Sequence, residues 1–368
     1  MRRIRLVRVG LRYGGGLVLH TASSGAVPEL QEIRLVAEED GALVALGASR
    51  INIAYLSGLP TEAVERAIQD AAAGLDWTAP WDALPALLDA RCPDLPAPAR
   101  MLFEMAAADG AARRAGVPLA ACLGGHAATV THTNQTLFWE PEAAMLARAR
   151  AYARRGFLEL KLRIGLAEFE QDLRRIALLR ESLGPAARLS VDANGCWDAA
   201  AAPARLDALA RLGVAYVEQP LPAEDWDAVA RIAAMSPVPI MLDETLASFA
   251  AVERLAETRA APLAHLKLAK LGGLDRLMRA GRLLQEAGIG VMVGQMNEGV
   301  PSTLAAAHAA AALDAPLREL YGADQLVEDP ARPVPRYAEG LLHMPAGPGL
   351  GLASHAIRAE DVIWETTT

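Results

Sequence analysis

The chain has 368 residues, 52% hydrophobic and 22% charged, so it can bury a sizeable core and is not globally disordered. Its formal net charge is −8, and no run of like charge is typical of a nucleic-acid-binding arm. We therefore expect no nucleic-acid partner. At roughly 150 residues per domain, this length predicts two domains, or one large barrel with an addition.

The first residues alternate arginines with apolar residues and contain no long apolar run, which predicts a strand rather than a signal peptide. The longest stretch without charge, residues 115–139, contains several polar side chains and does not fit a membrane span. The three cysteines are widely spaced and fit neither a disulfide framework nor a zinc motif: Cys92, Cys122 and Cys196. We therefore expect a cytoplasmic protein with no membrane partner.

The first part of the chain mixes strands and helices. Residues 3–9 and 17–20 are predicted strands joined by the glycine turn at residues 14–16, and residues 33–37 and 42–46 form a predicted hairpin. Helical patterns follow at residues 61–73, 81–90 and 97–115. These elements predict an α+β capping domain over residues 1–125.

From about residue 130, short apolar runs alternate with amphipathic helices. The predicted strands are residues 131–138, 157–163, 189–193, 215–218, 240–243, 264–268, 290–293 and 317–320. Helices such as residues 141–154, 167–182 and 274–287 lie between them. The alternation favours an α/β fold with a modified (β/α)8 barrel over residues 126–341. A solenoid fits less well, because the repeats share no side-chain consensus. We expect residues 342–368 to return to the capping domain.

The charged residues of these strands occupy one face. Reading each strand with period two places leucines on the outer face and charges inside the barrel. The inward residues lie near the carboxyl ends of their strands, where barrel enzymes build active sites: Lys161, Arg163, Asp192, Glu218, Asp243, His265 and Lys267.

Three of these residues are carboxylates one strand–helix unit apart: Asp192, Glu218 and Asp243. Left bare at adjacent strand ends, they would repel one another strongly. A hard divalent cation with oxygen ligands removes this repulsion, which favours Mg²⁺, with Mn²⁺ as a substitute. The alternative is that each is an ordinary solvated loop acid.

Cations flank this acidic centre. Lys161 and Arg163 lie on one side and Lys267 on the other, where a lysine beside other cations can act as a general base. The alternative for Lys161 and Arg163 is an internal ion pair with Glu159. Strand alternation places Lys270 on the opposite face from Lys267, so we expect Lys270 to be structural.

An ordered series of motifs covers most of the chain: MAAADGAARRAGVPLAACLGG at residues 105–125, VDANGCW at 191–197, VEQPL at 217–221, LDET at 242–245, LKLAKLGG at 266–273 and GQMNEG at 294–299. With this series the chain resembles the enolase superfamily, and within it the muconate-lactonizing-enzyme subgroup. The missing histidine in GQMNEG separates it from the mandelate racemase subgroup.

The resemblance implies roles at matching positions. Asp192, Glu218 and Asp243 would bind Mg²⁺, and Lys267 would be an acid/base. The expected substrate contacts in the barrel are Asn194, His265 and Glu298. In the capping domain, residues 21–27 and 49–57 match loops that close over the substrate, which makes Arg50, Asn52 and Tyr55 candidate contacts. Packing between domains explains these three equally well.

Two departures from the family pattern bear on the reaction. The subgroup usually has Lys-x-Lys after the second barrel strand, whereas this chain has Lys161-Leu162-Arg163. An arginine is a poor general base, although it can anchor a carboxylate or an enolate. Either Lys161 serves as the base instead or Lys267 works alone, so Lys161, Arg163 and Lys267 are the candidate catalytic residues. The Asp-x-Asp of dipeptide epimerases is replaced by Glu319-Leu320-Tyr321, or lies further on at Asp324, which makes a dipeptide substrate less favourable.

We therefore expect an enzyme that removes the proton α to the carboxylate of a small molecule and stabilises the enediolate with Mg²⁺. With one clear lysine base, β-elimination is favoured, and racemisation, epimerisation or cycloisomerisation is the alternative. A Schiff-base aldolase that uses Lys267, and a non-catalytic ligand-binding descendant, are further alternatives. We also expect a homo-oligomer.

Overall fold

The computed structural model describes residues 1–368. Its N-terminal strands are β1 (Arg2–Tyr13), β2 (Leu19–Thr21), β3 (Gly25–Val27), β4 (Leu30–Glu39) and β5 (Ala42–Arg50). The helices that follow are α1 (Ala54–Ser57), α2 (Thr61–Gly74), a 3-10 turn (Trp81–Ala83), α3 (Leu84–Arg91), α4 (Ala97–Ala115) and α5 (Leu119–Cys122).

Strands β1, β4 and β5 form an antiparallel sheet. Asp40 and Gly41, between β4 and β5, both have positive φ, 49° and 82°, as the tight turn of a twisted hairpin requires. Helix α4 packs closely on this sheet, because a Cβ at Gly47 would lie 2.0 Å from the Leu102 carbonyl oxygen. The sheet and its helices form the cap that the alternating pattern predicts.

The second part begins with β6 (Val130–His132) and contains eight barrel strands: β7 (Gln135–Leu137), β8 (Glu159–Arg163), β9 (Arg188–Asp192), β10 (Val217–Glu218), β11 (Ile240–Leu242), β12 (Leu263–Lys267), β13 (Gly290–Gly294) and β14 (Leu317–Glu319). The helices of this part are α6 (Glu142–Arg154), α7 (Phe169–Leu183), α8 (Ala202–Arg211), α9 (Trp226–Met235), α10 (Phe249–Thr258), α11 (Leu268–Leu271), α12 (Leu274–Glu286) and α13 (Val300–Ala312), with a 3-10 turn (Glu244–Leu246). None of the helices is both long and apolar enough to cross a membrane.

Strands β7 to β14 form one parallel sheet in chain order. The backbone N–H of Asn134 donates to the Arg318 carbonyl at 3.1 Å and brings the first and last strands together. The predicted eight-stranded barrel is confirmed. The single strand predicted at residues 131–138 is wrong, because β6 leaves the barrel and pairs with β18 (Leu341–His343).

The C-terminal segment contains short strands: β15 (Leu326–Val327), β16 (Ala331–Arg332), β17 (Arg336–Ala338), β18, β19 (Ser354–His355), a 3-10 turn (Ala359–Asp361) and β20 (Val362–Thr367). Strand β20 runs antiparallel to β1, with Trp364 opposite Leu6. The Trp364 ring lies 6.1 Å from that of Trp77. The end of the chain therefore completes the cap sheet, whereas β18 pairs with β17 and β6 in a separate three-stranded sheet.

Candidate functional site

Nine charged side chains meet at the carboxyl ends of the barrel strands, and we call them the site cluster: Lys161, Arg163, Asp192, Glu218, Asp243, Glu244, Lys267, Lys270 and Glu319. Eight of them are buried. The ninth, Glu244, is half-buried and follows Asp243 directly in the chain. Strand alternation explains the position of Lys161 and Arg163, because they alternate along β8 with Leu160 and Leu162, which occupy the outer face.

Three carboxylates end successive strands of this cluster. Asp192 ends β9, Glu218 ends β10, and Asp243 follows β11 directly. One ligand atom from each of Glu218, Asp243 and His265 lies within 4.8 Å of the others. Burial raises the pKa of Asp192 to about 7, although Arg163 acts to lower it. Glu218 and Asp243 offer the hard oxygen donors that a divalent cation such as Mg²⁺ prefers. The predicted third ligand, Asp192, is not part of this close group, in which His265 stands instead.

Lys161 lies beneath this centre rather than in it. Its Nζ donates to Glu218 Oε2 at 2.9 Å, contacts Glu319, and lies 3.7 Å from Asp192 Oδ2. The side chain has no exposed surface and does not line the cavity. The alternative pairing with Glu159 is wrong, because Glu159 lies at the start of β8, where its carboxylate is near Arg188.

Arg163 forms one wall of the site. Its guanidinium donates to Asp192 and lines the cavity. Burial opposes its charge, but Asp192 and Glu319 raise its pKa well above the usual value. Arg163 therefore stays protonated and presents a positive charge to the cavity.

Lys267 lies across the cavity at the end of β12. Its Nζ donates to Asp243 Oδ2 at 2.5 Å, and the side chain lines the cavity. Burial acts to lower the pKa of Lys267, but Asp243 and Glu218 raise it above its usual value. In this arrangement the amine is held as a charged donor to Asp243.

The expectation that Lys270 points away from Lys267 is wrong. Strand β12 ends at Lys267, and the short helix α11 turns Lys270 back toward the site. Its Nζ contacts Asp243 Oδ1 and donates to the His265 carbonyl at 3.0 Å. Lys270 thus fixes the Asp243 carboxylate from the side opposite Lys267.

Glu244 and Glu319 are site residues that the sequence reasoning missed. Glu244 accepts a hydrogen bond from Asn194 Nδ2 at 2.9 Å and lines the cavity. Its pKa is raised to about 7, first by burial and then by Asp243 and Asp192. The alternation of β11 does not extend to Glu244, because a 3-10 turn begins there. Glu319 was considered only as the residue that stands in place of the first acid of the dipeptide-epimerase pattern.

The cavity over the cluster has a volume of about 50 Å³. Its barrel side includes Asn194, Lys267 and Asn297, and its cap side includes residues of the β2–β3 hairpin together with Arg50 and Tyr55. This space admits only one or two water molecules. We therefore expect the hairpin to move when a substrate enters.

Three of the six expected substrate contacts do not line the cavity. Asn52 accepts from Arg50 Nε at 2.9 Å and from the Gln31 N–H at 3.1 Å, so it fixes its own loop. His265 lies beneath the carboxylates, with Nδ1 3.0 Å from Glu218 Oε1. Glu298 is buried and accepts from the Met296 N–H at 3.0 Å. Arg50, Tyr55 and Asn194 do line the cavity.

The family described as enolase C-terminal domain-like matches residues 144–356. Muconate cycloisomerase 1 of Pseudomonas putida is 34% identical over 253 residues, 68% of each chain. The L-Ala-D/L-Glu epimerase of Bacillus subtilis (strain 168) is 32% identical over 270 residues, 70% of this chain and 71% of the relative.

Solved structures agree with these matches over nearly the whole chain. A substrate-liganded complex of the L-Ala-D/L-Glu epimerase from Bacillus subtilis has a TM-score of 0.86 at 26% identity, covering 96% of this chain and 99% of that chain. The muconate lactonizing enzyme from Pseudomonas putida has a TM-score of 0.85 at 29% identity, covering 95% and 96%. The similarity therefore includes the cap as well as the barrel.

Proposed function

Because this chain belongs to the enolase superfamily, among the relatives of muconate cycloisomerase and the amino-acid epimerases, we propose that it removes the proton α to a carboxylate with Lys267 as its single base. The enediolate formed then expels a β-oxygen substituent, which makes the reaction a β-elimination. The substrate is a small hydroxy acid or a hydroxylated amino-acid derivative.

The observation that carries the proposal is that one lysine amine lines the cavity and an arginine faces it. Lys267 and Arg163 both reach the cavity, whereas Lys161 is enclosed by Glu218 and Glu319. Arginine does not lose its proton at accessible pH, so Arg163 cannot serve as a base. Proton transfer from one face suits elimination, because the same group can remove the proton and then protonate the leaving group.

Formal charges in the site cluster support a carboxylate substrate. The cluster holds five carboxylates and four cations, an excess of one negative charge. A divalent cation changes this to an excess of one positive charge, and one substrate carboxylate restores neutrality. A buried site with a compensated charge avoids the large desolvation cost of an unpaired ion.

The residues that would hold Mg²⁺, or Mn²⁺ in its place, are Asp192, Glu218 and Asp243. When bound, the cation supplies Lewis-acid stabilisation of the negative charge that develops on the carboxylate oxygens. Arg163 adds a fixed positive charge on the opposite wall. With Asp243 engaged by the cation, the Lys267 amine would lose the partner that keeps it charged and could take the α-proton. Its conjugate acid would then donate a proton to the departing oxygen, so that water leaves from a hydroxyl substrate.

A second candidate is epimerisation of an amino-acid derivative, which the similarity to the L-Ala-D/L-Glu epimerase favours. Epimerisation requires proton delivery to the opposite face, and Arg163 is poorly suited to that step. Tyr321 replaces the second acid of the dipeptide-epimerase pattern, and its hydroxyl hydrogen-bonds with Asn297 at 3.2 Å. Glu319 is already paired with Lys161. Both observations favour a substrate other than a dipeptide.

The test is a screen of small carboxylates in D₂O with Mg²⁺, followed by proton NMR. The set contains acid sugars, hydroxyprolines, and N-acyl and betaine amino acids. We expect Mg²⁺-dependent loss of water from one class, abolished by a chelator and retained in the Lys161→Arg variant more than in Lys267→Arg. Inversion with deuterium at the α-carbon and no elimination would establish the epimerase instead. Trapping of substrate by borohydride would establish a Schiff-base aldolase, and binding without turnover a non-catalytic descendant.

A further inference from the structure

The loop between β13 and α13, residues 295–299, forms one wall of the cavity and is held by the cap. Gln295, Met296 and Asn297 line the cavity. Arg50, at the end of β5, donates to the Met296 carbonyl at 2.5 Å. From β1, the Tyr13 hydroxyl lies 3.4 Å from Asn297 Nδ2.

Strand β4 makes the most extensive connection, at the N-terminus of α13. The Gly299 N–H donates to Glu32 Oε1 at 2.5 Å, and the Val300 N–H donates to Asp329 Oδ2 at 2.9 Å. Free N–H groups at a helix N-terminus favour carboxylate partners. One carboxylate comes from the cap sheet and the other from the segment after β15.

Arg34 joins the two carboxylates. Its Nε and Nη2 donate to Glu32 Oε2 at 3.0 and 2.9 Å, and its Nη1 and Nη2 donate to the two Asp329 oxygens at 2.7 Å each. The exposed fractions of the side chains of Glu32, Arg34 and Asp329 are 0%, 0% and 2%. We call these three residues the cap clamp.

Gly299 indicates independently that the cap clamp closely approaches the backbone at the start of α13. Its φ and ψ are −68° and −178°, a conformation open to any residue. A Cβ at this position would nevertheless lie 2.2 Å from Arg34 Nη2, 2.7 Å from Asp329 Oδ2 and 2.8 Å from Glu32 Oε2. Glycine is therefore required here by the approach of the cap clamp and not by the backbone.

We propose that Arg34 is a positioning residue for substrate binding: through Glu32 and Asp329 it fixes the start of α13, and thereby places residues 295–297 against the substrate. The cap clamp does not touch the reacting atoms. It connects the sheet that carries the hairpin over the cavity to a barrel loop on the cavity wall. Loss of the clamp should weaken substrate binding more than proton transfer, since Lys267 and the carboxylates lie on other strands.

The test uses the full-length protein and four variants. Gly299→Ala inserts a methyl group into the clamp, and Arg34→Lys keeps the charge but removes the two-pronged contact. Gly74→Ala is the glycine control, because nothing lies within 4 Å of its added Cβ. Arg113→Lys is the arginine control, since Arg113 pairs with Asp109 and contacts the Leu352 carbonyl, away from the loop.

Hydrogen–deuterium exchange of a peptide spanning residues 295–303 is measured together with the KM and kcat of the carboxylate that the D₂O screen selects. We expect exchange to rise about tenfold and KM to rise about tenfold in both clamp variants, with kcat changed much less and both controls unaltered. If both clamp variants only melt at a lower temperature, with loop exchange and KM equal to those of the controls, the clamp supports the fold alone. The hydrogen–deuterium exchange measurement needs no substrate, so a failure of this proposal can be distinguished from a failure of the proposed reaction.

Discussion

The cap clamp and the site cluster are both buried groups of charged side chains, but they differ in how completely their hydrogen bonds are satisfied. Every guanidinium nitrogen of Arg34 has a carboxylate partner, and both oxygens of Glu32 and Asp329 accept hydrogen bonds. In the site cluster and its neighbours, buried polar atoms remain without a partner: Arg163 Nε, Asn194 Oδ1, Glu244 Oε2, His265 Nε2 and Glu319 Oε1.

This difference corresponds to a structural role for the cap clamp and a chemical role for the site cluster. A saturated ion network specifies one arrangement and has nothing left to offer a ligand. An incompletely satisfied network carries a cost in stability that a bound metal or substrate can remove. We therefore expect substitutions in the cap clamp to change mainly stability and substrate placement, and substitutions in the site cluster to change mainly metal binding and turnover.

The largest expected stability change follows loss of the Arg34 charge. Arg34→Met leaves Glu32 and Asp329 buried without their cation, and removing one partner of a buried ion pair costs about 3–5 kcal/mol. Arg163→Met should cost less, because Lys161 remains 3.7 Å from Asp192. Urea unfolding of the two variants measures this comparison. Equal losses of unfolding free energy would show that the two clusters do not differ as described.

The second prediction concerns metal affinity. Loss of a residue that only hydrogen-bonds a metal ligand lowers metal affinity by roughly 10- to 100-fold. Asp243→Asn removes the charged oxygen donor itself and should weaken Mg²⁺ binding by at least as much. Asp329→Asn is the matched control, since it removes the same charge from the cap clamp, and its Mg²⁺ affinity should be unchanged. Isothermal titration calorimetry measures both. Equal affinity in Asp243→Asn and the wild type would contradict the ligand assignment.

The third prediction concerns acid stability. Burial first, and Arg34 second, lower the pKa of His355 to about 3, and its Nε2 lies 3.3 Å from Arg34 Nη1. Below an unfolded-state pKa of about 6.5, His355 in the unfolded chain binds a proton that folded His355 does not bind. The free energy of unfolding therefore decreases as the pH is lowered below about 6.5. Between pH 6.5 and pH 5 the loss is about 2 kcal/mol.

This loss should disappear in His355→Gln and persist in His126→Gln, because His126 is exposed. Urea unfolding at several pH values gives the slopes. An unchanged slope in His355→Gln would mean that this histidine does not couple the cap clamp to pH.

The smallest effects are expected in the loop after β5. Asn52 accepts two hydrogen bonds and donates one to the Glu29 carbonyl, so Asn52→Ala should cost about 1 kcal/mol of stability. Tyr55 lines the cavity, is 40% exposed and has no hydrogen-bond partner through its hydroxyl, so Tyr55→Phe should change stability by less than about 0.5 kcal/mol. Thermal melts and KM values distinguish the two variants: Asn52→Ala should lower the melting temperature, and Tyr55→Phe should change KM. A changed KM in Asn52→Ala together with a lower melting temperature in Tyr55→Phe would contradict this assignment.

Much of the architecture follows from the sequence, because strand periodicity is local. The alternation in β8 placed Lys161 and Arg163 inside, and the spacing of the strands gave the order of the carboxylates. The same rule failed at Lys270 and does not extend to Glu244, because in both places a helical turn begins directly after a strand and the period changes. Local patterns therefore predict which residues enter the barrel but not how the chain turns at its rim.

The sequence pattern does not predict contacts between residues that are far apart in the chain. The contact of Lys161 with Glu319 depends on closure of the barrel between its first and last strands. The cap clamp joins Arg34 to Asp329, which is 295 residues away in the chain. Neither pairing has a local signal, since both depend on how two distant segments pack.

The central claim is that Lys267 is the single base, and α-proton exchange into D₂O tests it most directly. With Mg²⁺ and the substrate selected by the screen, Lys267→Ala should lower exchange by about 10²- to 10⁴-fold while Mg²⁺ binding is retained. Arg163→Lys should keep the site assembled and retain exchange from the Lys267 face. Near-normal exchange in Lys267→Ala, together with its loss in Arg163→Ala, would contradict the account and assign proton transfer to the opposite wall.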